Sequence, residues 1–177
     1  MRKKHRISFL TREEMLKLLA GPDTATLFGV RDLAILQVLY STGLHVTELA
    51  ALNLSDIDFI NQQLLVGGKK GRMVSTTVTT LMMIRGYREF LRTVPGSIIN
   101  HQAVFLNYYG QRLSGGSIRS IVRQYLKRAG FEAKFGRCVL RHSFAMEACN
   151  RVIHQRELQS LLGLSSRSPL LVYRELV

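Results

Sequence analysis

Between residues 58 and 80 the apolar pattern of this chain changes, and that change limits the folds open to it. On both sides, apolar residues recur at helical spacing. Within the stretch, Phe59-Ile60, Leu64-Leu65-Val66 and the β-branched run 74–80 read as three short strands. Asn61-Gln62 and Gly67-Gly68-Lys69-Lys70-Gly71 supply the turns. Turns this short join antiparallel neighbours. The expected fold is mainly α with one small antiparallel β-sheet, an α+β domain.

The flanking helices carry their own punctuation. Thr11-Arg12-Glu13-Glu14 ahead of Met15, Leu16, Leu18 and Leu19 has the capping-box pattern, closed by Gly21-Pro22. A second helix is expected over 26–41, stopping at Gly43. A third, over 48–52, is expected to be capped by Thr47, with unpaired N–H groups beside His45 that favour an anion. Helical spacing returns over 81–94, and 103–106 reads as a brief strand or extended segment. Ser114 caps an expected helix over 116–129. Helices around 141–151 and 156–162 precede a short segment through Tyr173.

A chain of 177 residues fits one domain over 1–177, with residues 1–10 as a basic, linker-like start. Its 25 Lys+Arg against 12 Asp+Glu give a formal charge of +13, which asks for a polyanionic partner. Nucleic acid is the commonest such partner; a ribosomal or membrane-surface protein shows the same excess. Arg119, Arg123 and Lys127 recur at i, i+4, i+8 on one helix stripe, either a solvated face or a face that tracks phosphates. Two cysteines, Cys138 and Cys149, are too few for a secreted disulfide scaffold. The basic start is not followed by an apolar signal region, and no stretch approaches the ~18 apolar residues of a membrane span. A cytoplasmic protein, nucleoid-associated when bound to DNA, is expected.

Gly43-Leu44-His45-Val46-Thr47-Glu48-Leu49 resembles the first motif of the tyrosine recombinases, the phage-integrase and Xer family, which usually reads Gly-Leu-Arg-Val-Ser-Glu-Leu. The resemblance continues at Leu140-Arg141-His142-Ser143-Phe144-Ala145, at Leu161-Leu162-Gly163 and at Tyr173. Intervals agree too: 24 positions from His45 to Lys69, 23 from Arg141 to Leu164, nine from Leu164 to Tyr173. The resemblance implies the catalytic-domain fold of that family and metal-free, nucleotide-free cleavage of duplex DNA. It implies that Tyr173 is the nucleophile, Arg141 the second arginine and Lys69 the hairpin acid, with Lys70 as its understudy. Glu48 would orient its neighbour, with His142 beside Arg141. Such donors suit a transition state that gathers charge on phosphate oxygens.

Three positions depart from the family pattern. His45 stands where the first arginine belongs, Cys138 replaces a histidine, and Leu164 replaces a later histidine or tryptophan. Histidine lacks the guanidinium fork, cysteine is a weak donor and leucine is none. Removing one transition-state donor costs ~10²–10³ in rate, so strand cleavage is expected to be weak or lost. The family's N-terminal core-binding domain is expected to be absent, and the helix beyond the tyrosine short or missing. Cooperative assembly with other recombinase subunits is then in doubt.

Each residue also has a plainer reading. Tyr173 between Leu171-Val172 and Leu176 reads alone as a packing residue, and Lys69-Lys70 as exposed charge. Arg141 inside an apolar helix needs a partner, which favours an anion site. Cys138 and His142 share a helix face, but two ligands without a third do not make a zinc site. No metal, cofactor, membrane or small-molecule substrate is expected. Three functions stay open: a DNA-binding member or mobile-element remnant with impaired chemistry, an active recombinase forming a 3′-phosphotyrosyl intermediate through Tyr173, and a basic RNA- or ribosome-associated protein.

Overall fold

The computed structural model describes residues 8–68, 71–95, 100–136, 138–150, 155–164 and 173. Among these are helices α1 (Arg12–Leu19), α2 (Leu27–Thr42), α3 (Val46–Ala51), α4 (Val78–Arg92), α5 (Gly115–Arg128), α6 (Val139–Asn150) and α7 (Gln155–Leu162), with one small sheet inserted between α3 and α4. Strands β1 (Ile57–Asp58), β2 (Gln63–Val66) and β3 (Arg72–Ser75) are antiparallel in the order β1-β2-β3, with Ile57 opposite Leu64 and Val66 opposite Arg72. The expected α+β class holds. No helix among the described residues is long and apolar enough to cross a membrane.

Helix α2 is the axis of the fold. Ala34, Ile35, Leu36, Val38 and Leu39 bury several sides of it, and it packs chiefly on α4 and α6. A helix apolar nearly all round belongs inside a domain rather than on its surface. Its charged pair is satisfied internally: Arg31 donates to Asp32 at 2.9 Å and to the Leu106 carbonyl at 3.1 Å, and Tyr125 donates to Asp32 at 3.2 Å. Gly43 ends it at φ +63. A Cβ there would lie 2.4 Å from a Phe144 ring carbon, so both the backbone sign and the space call for glycine.

Local expectations held where caps were written into the chain. Thr11 and Glu14 form the capping box of α1, and Ser114 caps α5 by accepting from Ser117 N at 3.1 Å. Residues 103–106 do not form the expected strand: Val104 and Phe105 bend between isolated bridges from Ala103 to Asn53 and from Leu106 to Arg112.

Three boundaries moved. Phe59 and Ile60 lie in the β1–β2 turn, where the Asp58 carboxylate accepts from Ile60 N at 3.0 Å and Asn61 N at 2.8 Å. The Asp58 turn outcompetes their strand propensity. The run expected to be a strand over 74–80 splits after Ser75, because Thr77 caps α4 through Thr80 N at 3.2 Å. Burial of Leu81, Ile84 and Tyr87 then selects helix over β-branched propensity. Finally, His45 rather than Thr47 is the N-cap of α3. The Glu48 carboxylate accepts from His45 N at 2.7 Å, so the expected anion place is filled from within the chain.

The described core has two parts. The larger is built on α2, α4, α5 and the sheet. The smaller gathers Ala145, Met146, Ala148, Leu158, Leu162 and Tyr173, with Phe9, Phe144, Cys149 and Leu164 packed against it.

Candidate functional site

Helix α6 places Arg141 between three elements. Its guanidinium donates to the Gly43 carbonyl at 3.0 Å and to the Leu162 carbonyl at 2.5 Å, and lies 3.7 Å from the Glu48 carboxylate. The end of α2, the start of α3 and the end of α7 therefore meet on one side chain. Burial pulls the Arg141 pKa below its ordinary value, with Glu48 opposing that shift. The partner that a buried arginine requires is present.

Glu48 has a second cation that sequence reasoning missed. Arg72, the first residue of β3, donates to Glu48 at 2.7 Å and to the Leu161 carbonyl at 3.1 Å. Its remaining terminal nitrogen is buried without a hydrogen-bond partner among the described residues. Gly163 adopts φ +60, and a Cβ there would sit 2.7 Å from the Arg72 guanidinium carbon. The last turn of α7 thus offers its carbonyls to Arg72 and Arg141, as a helix C-terminus favours cations. Burial alone would raise Glu48, yet hydrogen bonds from Arg72 and His45 N–H and the charges of Arg72 and Arg141 hold it below its ordinary value. The available signal was an arginine just after Lys69-Lys70-Gly71 in a turn; its pairing with Glu48, 24 residues earlier, is tertiary.

A cleft lined by His45, Arg119, Cys138 and Arg141 lies beside this network. His45 Nδ1 is 3.0 Å from Thr47 Oγ1. Burial, then the charges of Arg141 and Arg119, push its pKa down, while Glu48 opposes. It is therefore a neutral imidazole at pH 7 where the resemblance calls for a permanent cation. Cys138 is half-buried at the mouth of α6.

Tyr173 sits in the smaller core cluster with 5% of its surface exposed, and its hydroxyl oxygen lies 2.6 Å from His142 Nδ1. Burial pushes the phenol up to about 12, although the Arg141 charge pulls the other way. Leu164 is half-buried against the same cluster, its backbone clasped by Gln159 through bonds of 3.0 and 3.1 Å. Arg119, Arg123 and Lys127 all face solvent on α5. Arg123 lies over the Phe135 ring at 5.4 Å and 4.0 Å from Glu132, so part of its charge is spoken for. The structure thus brings Arg141, Glu48, His45, Cys138 and Arg119 together, and Tyr173 with His142 and Leu164. Lys69 and Lys70 lie outside the described residues.

A helical domain with a three-stranded sheet and this arrangement of α3, α6 and α7 has the fold of tyrosine-recombinase catalytic domains. The crystal structure of XerA recombinase superposes with a TM-score of 0.81 at 26% identity, over 93% of this chain and 59% of that one. XerH in a post-cleavage complex with palindromic difH substrate gives 0.80 at 21% identity, over 96% of this chain and 50% of that one; it supports the fold alone. Residues 8–176 match the phage integrase family, and the chain belongs to it. It is similar to tyrosine recombinase XerC of Chlamydia muridarum, 35% identical over 166 residues, covering 93% of this chain and 52% of the relative. XerC of Thermodesulfovibrio yellowstonii is 35% identical over 170 residues, covering 93% and 56%. The chain spans about half the length of these curated relatives.

Proposed function

We propose that this chain is a duplex-DNA-binding domain of the tyrosine recombinases, acting in DNA recombination and integration, whose strand cleavage is weakened by its substituted donors. The observation that carries the reading is the cleft itself. Arg141 and Arg119 flank it, while a neutral His45 and Cys138 stand where the family resemblance calls for stronger donors. A phosphate there would gain charge from two arginines but lack a guanidinium fork at the position of His45. Arg141 is the anion-binding arginine, Tyr173 the nucleophile, and the exposed Arg119, Arg123 and Lys127 track the backbone. Lys69 is the proton donor and Lys70 its neighbour, on the strength of the resemblance. The protein works in the cytoplasm, on the nucleoid, with other recombinase subunits as further partners.

Competition binding tests the partner. Duplex DNA should outcompete structured RNA, with affinity falling steeply between ~50 and 200 mM salt; a preference for RNA sinks the reading. A nicked suicide duplex tests the chemistry. Covalent adduct should be at least ~10³-fold slower than after the paired reversions His45→Arg and Cys138→His. A full-speed adduct in the unchanged chain would favour the active-recombinase reading instead.

A further inference from the structure

The His142–Tyr173 contact is polar as well as packed. The ring centroids are 5.6 Å apart and tilted by 48°, so the two rings meet through their polar atoms and do not stack. His142 stands in the first turn of α6, its backbone N–H bonded to the Cys138 carbonyl at 2.8 Å. Its neighbour Arg141 is held by Gly43, Leu162 and Glu48, so the turn bearing the imidazole is anchored from three sides. Tyr173 comes from 31 residues further on and meets that ring at 2.6 Å.

We propose that His142 is the proton acceptor of Tyr173: its Nδ1 accepts the phenol hydrogen, fixes the oxygen in place and takes the proton when that oxygen attacks a DNA phosphorus. The inference rests on the reading of Tyr173 as nucleophile. In the step, the tyrosine O–P bond forms and the P–O5′ bond breaks. The phenol proton moves to Nδ1, and the leaving 5′ oxygen takes a proton from a lysine such as Lys69 or from water. Burial and the adjacent Arg141 charge both lower the His142 pKa, so the resting ring is neutral and has a lone pair to offer. The imidazolium formed beside Arg141 is disfavoured, which suits a proton that must return to the tyrosine when the strand is rejoined. A neutral acceptor also answers the problem posed by the burial of Tyr173, whose proton would otherwise be held too tightly for attack at pH 7.

Two measurements on the full chain test this. Ring-¹⁵N histidine NMR, assigned through His142→Gln, should find Nδ1 unprotonated and shifted on Tyr173→Phe; an Nδ1 that carries the proton overturns the proposal without reference to activity. The second uses a library of nicked duplexes of randomised sequence with a bridging 5′ sulfur, which leaves without an acid. His142→Ala should form the Tyr173-dependent adduct ~10²-fold more slowly. Added imidazole should restore part of that rate, and none in Tyr173→Phe. An adduct rate in His142→Ala within about twofold of the parent overturns the proton-transfer role and leaves Tyr173 as nucleophile. No adduct from the unchanged chain overturns the nucleophile reading itself, and the transfer step with it.

Discussion

The two parts of the core hold the two halves of the site, and they are built differently. Arg141 and Glu48 are fastened where α2, α3, β3 and α7 converge, by ion pairs and helix-end carbonyls next to the large cluster. Tyr173 belongs to the small cluster, where few apolar side chains of α6 and α7 cover it. On the proposed function, the corner that holds phosphate is tied to the larger of the two clusters, where its charges are already paired. If Tyr173 is the nucleophile proposed above, its seat in a small satellite core lets it shift toward phosphorus at less cost to the whole.

The larger cluster should dominate the stability of the domain. Leu36→Ala, at a fully buried position of α2, should cost about 3–4 kcal/mol in urea unfolding, and Leu158→Ala in the satellite about 2. Equal costs would mean one core rather than two. Arg72→Ala should cost about 1–3 kcal/mol, since it removes the donor on Glu48 Oε1 and the bond to the Leu161 carbonyl. It should also raise protease sensitivity near α7 before any global unfolding.

Glu48 gives the same corner a pH signature. Its folded pKa lies below the ordinary glutamate value, so its stabilisation is complete above that ordinary value and fades as pH falls through the folded one. Comparing the unchanged chain with Glu48→Gln, the stability difference should therefore shrink from pH 7 to pH 3. A constant difference would mean the carboxylate contributes through shape alone. Tyr173→Phe should cost only about 0.5–1.5 kcal/mol, the value of one buried hydrogen bond. A larger loss would show the satellite to be structural rather than a carrier for the hydroxyl. Lys127→Ala should leave stability within about 0.5 kcal/mol and lower the salt dependence of duplex binding by about 0.9 in log–log slope.

Much of the fold was legible because helix ends and turns are local chemistry. Thr11 with Glu14, Ser114 and Gly43 set their element ends from side chains within a few residues. Failures came where two local signals competed. Asp58 turned Phe59-Ile60 out of the sheet, and Thr77 converted the end of a β-branched run into a helix start. At the site, Arg141, Glu48 and Tyr173 could be singled out by spacing and resemblance. Arg72 could not, since nothing near it in the chain reveals the carboxylate it meets.

Local order along the chain determined the element types, most of the caps, the charge that asks for a polyanion, and the need of a buried Arg141 for partners. Which partners it received was a tertiary matter: Gly43, Glu48 and Leu162 lie up to 98 residues away and meet it only because α2 and α6 pack together. Tertiary packing likewise set His142 against Tyr173 and Arg72 against Glu48. Hydrogen bonds and ion pairs act over a few ångströms, and distance along the chain does not reveal distance in space.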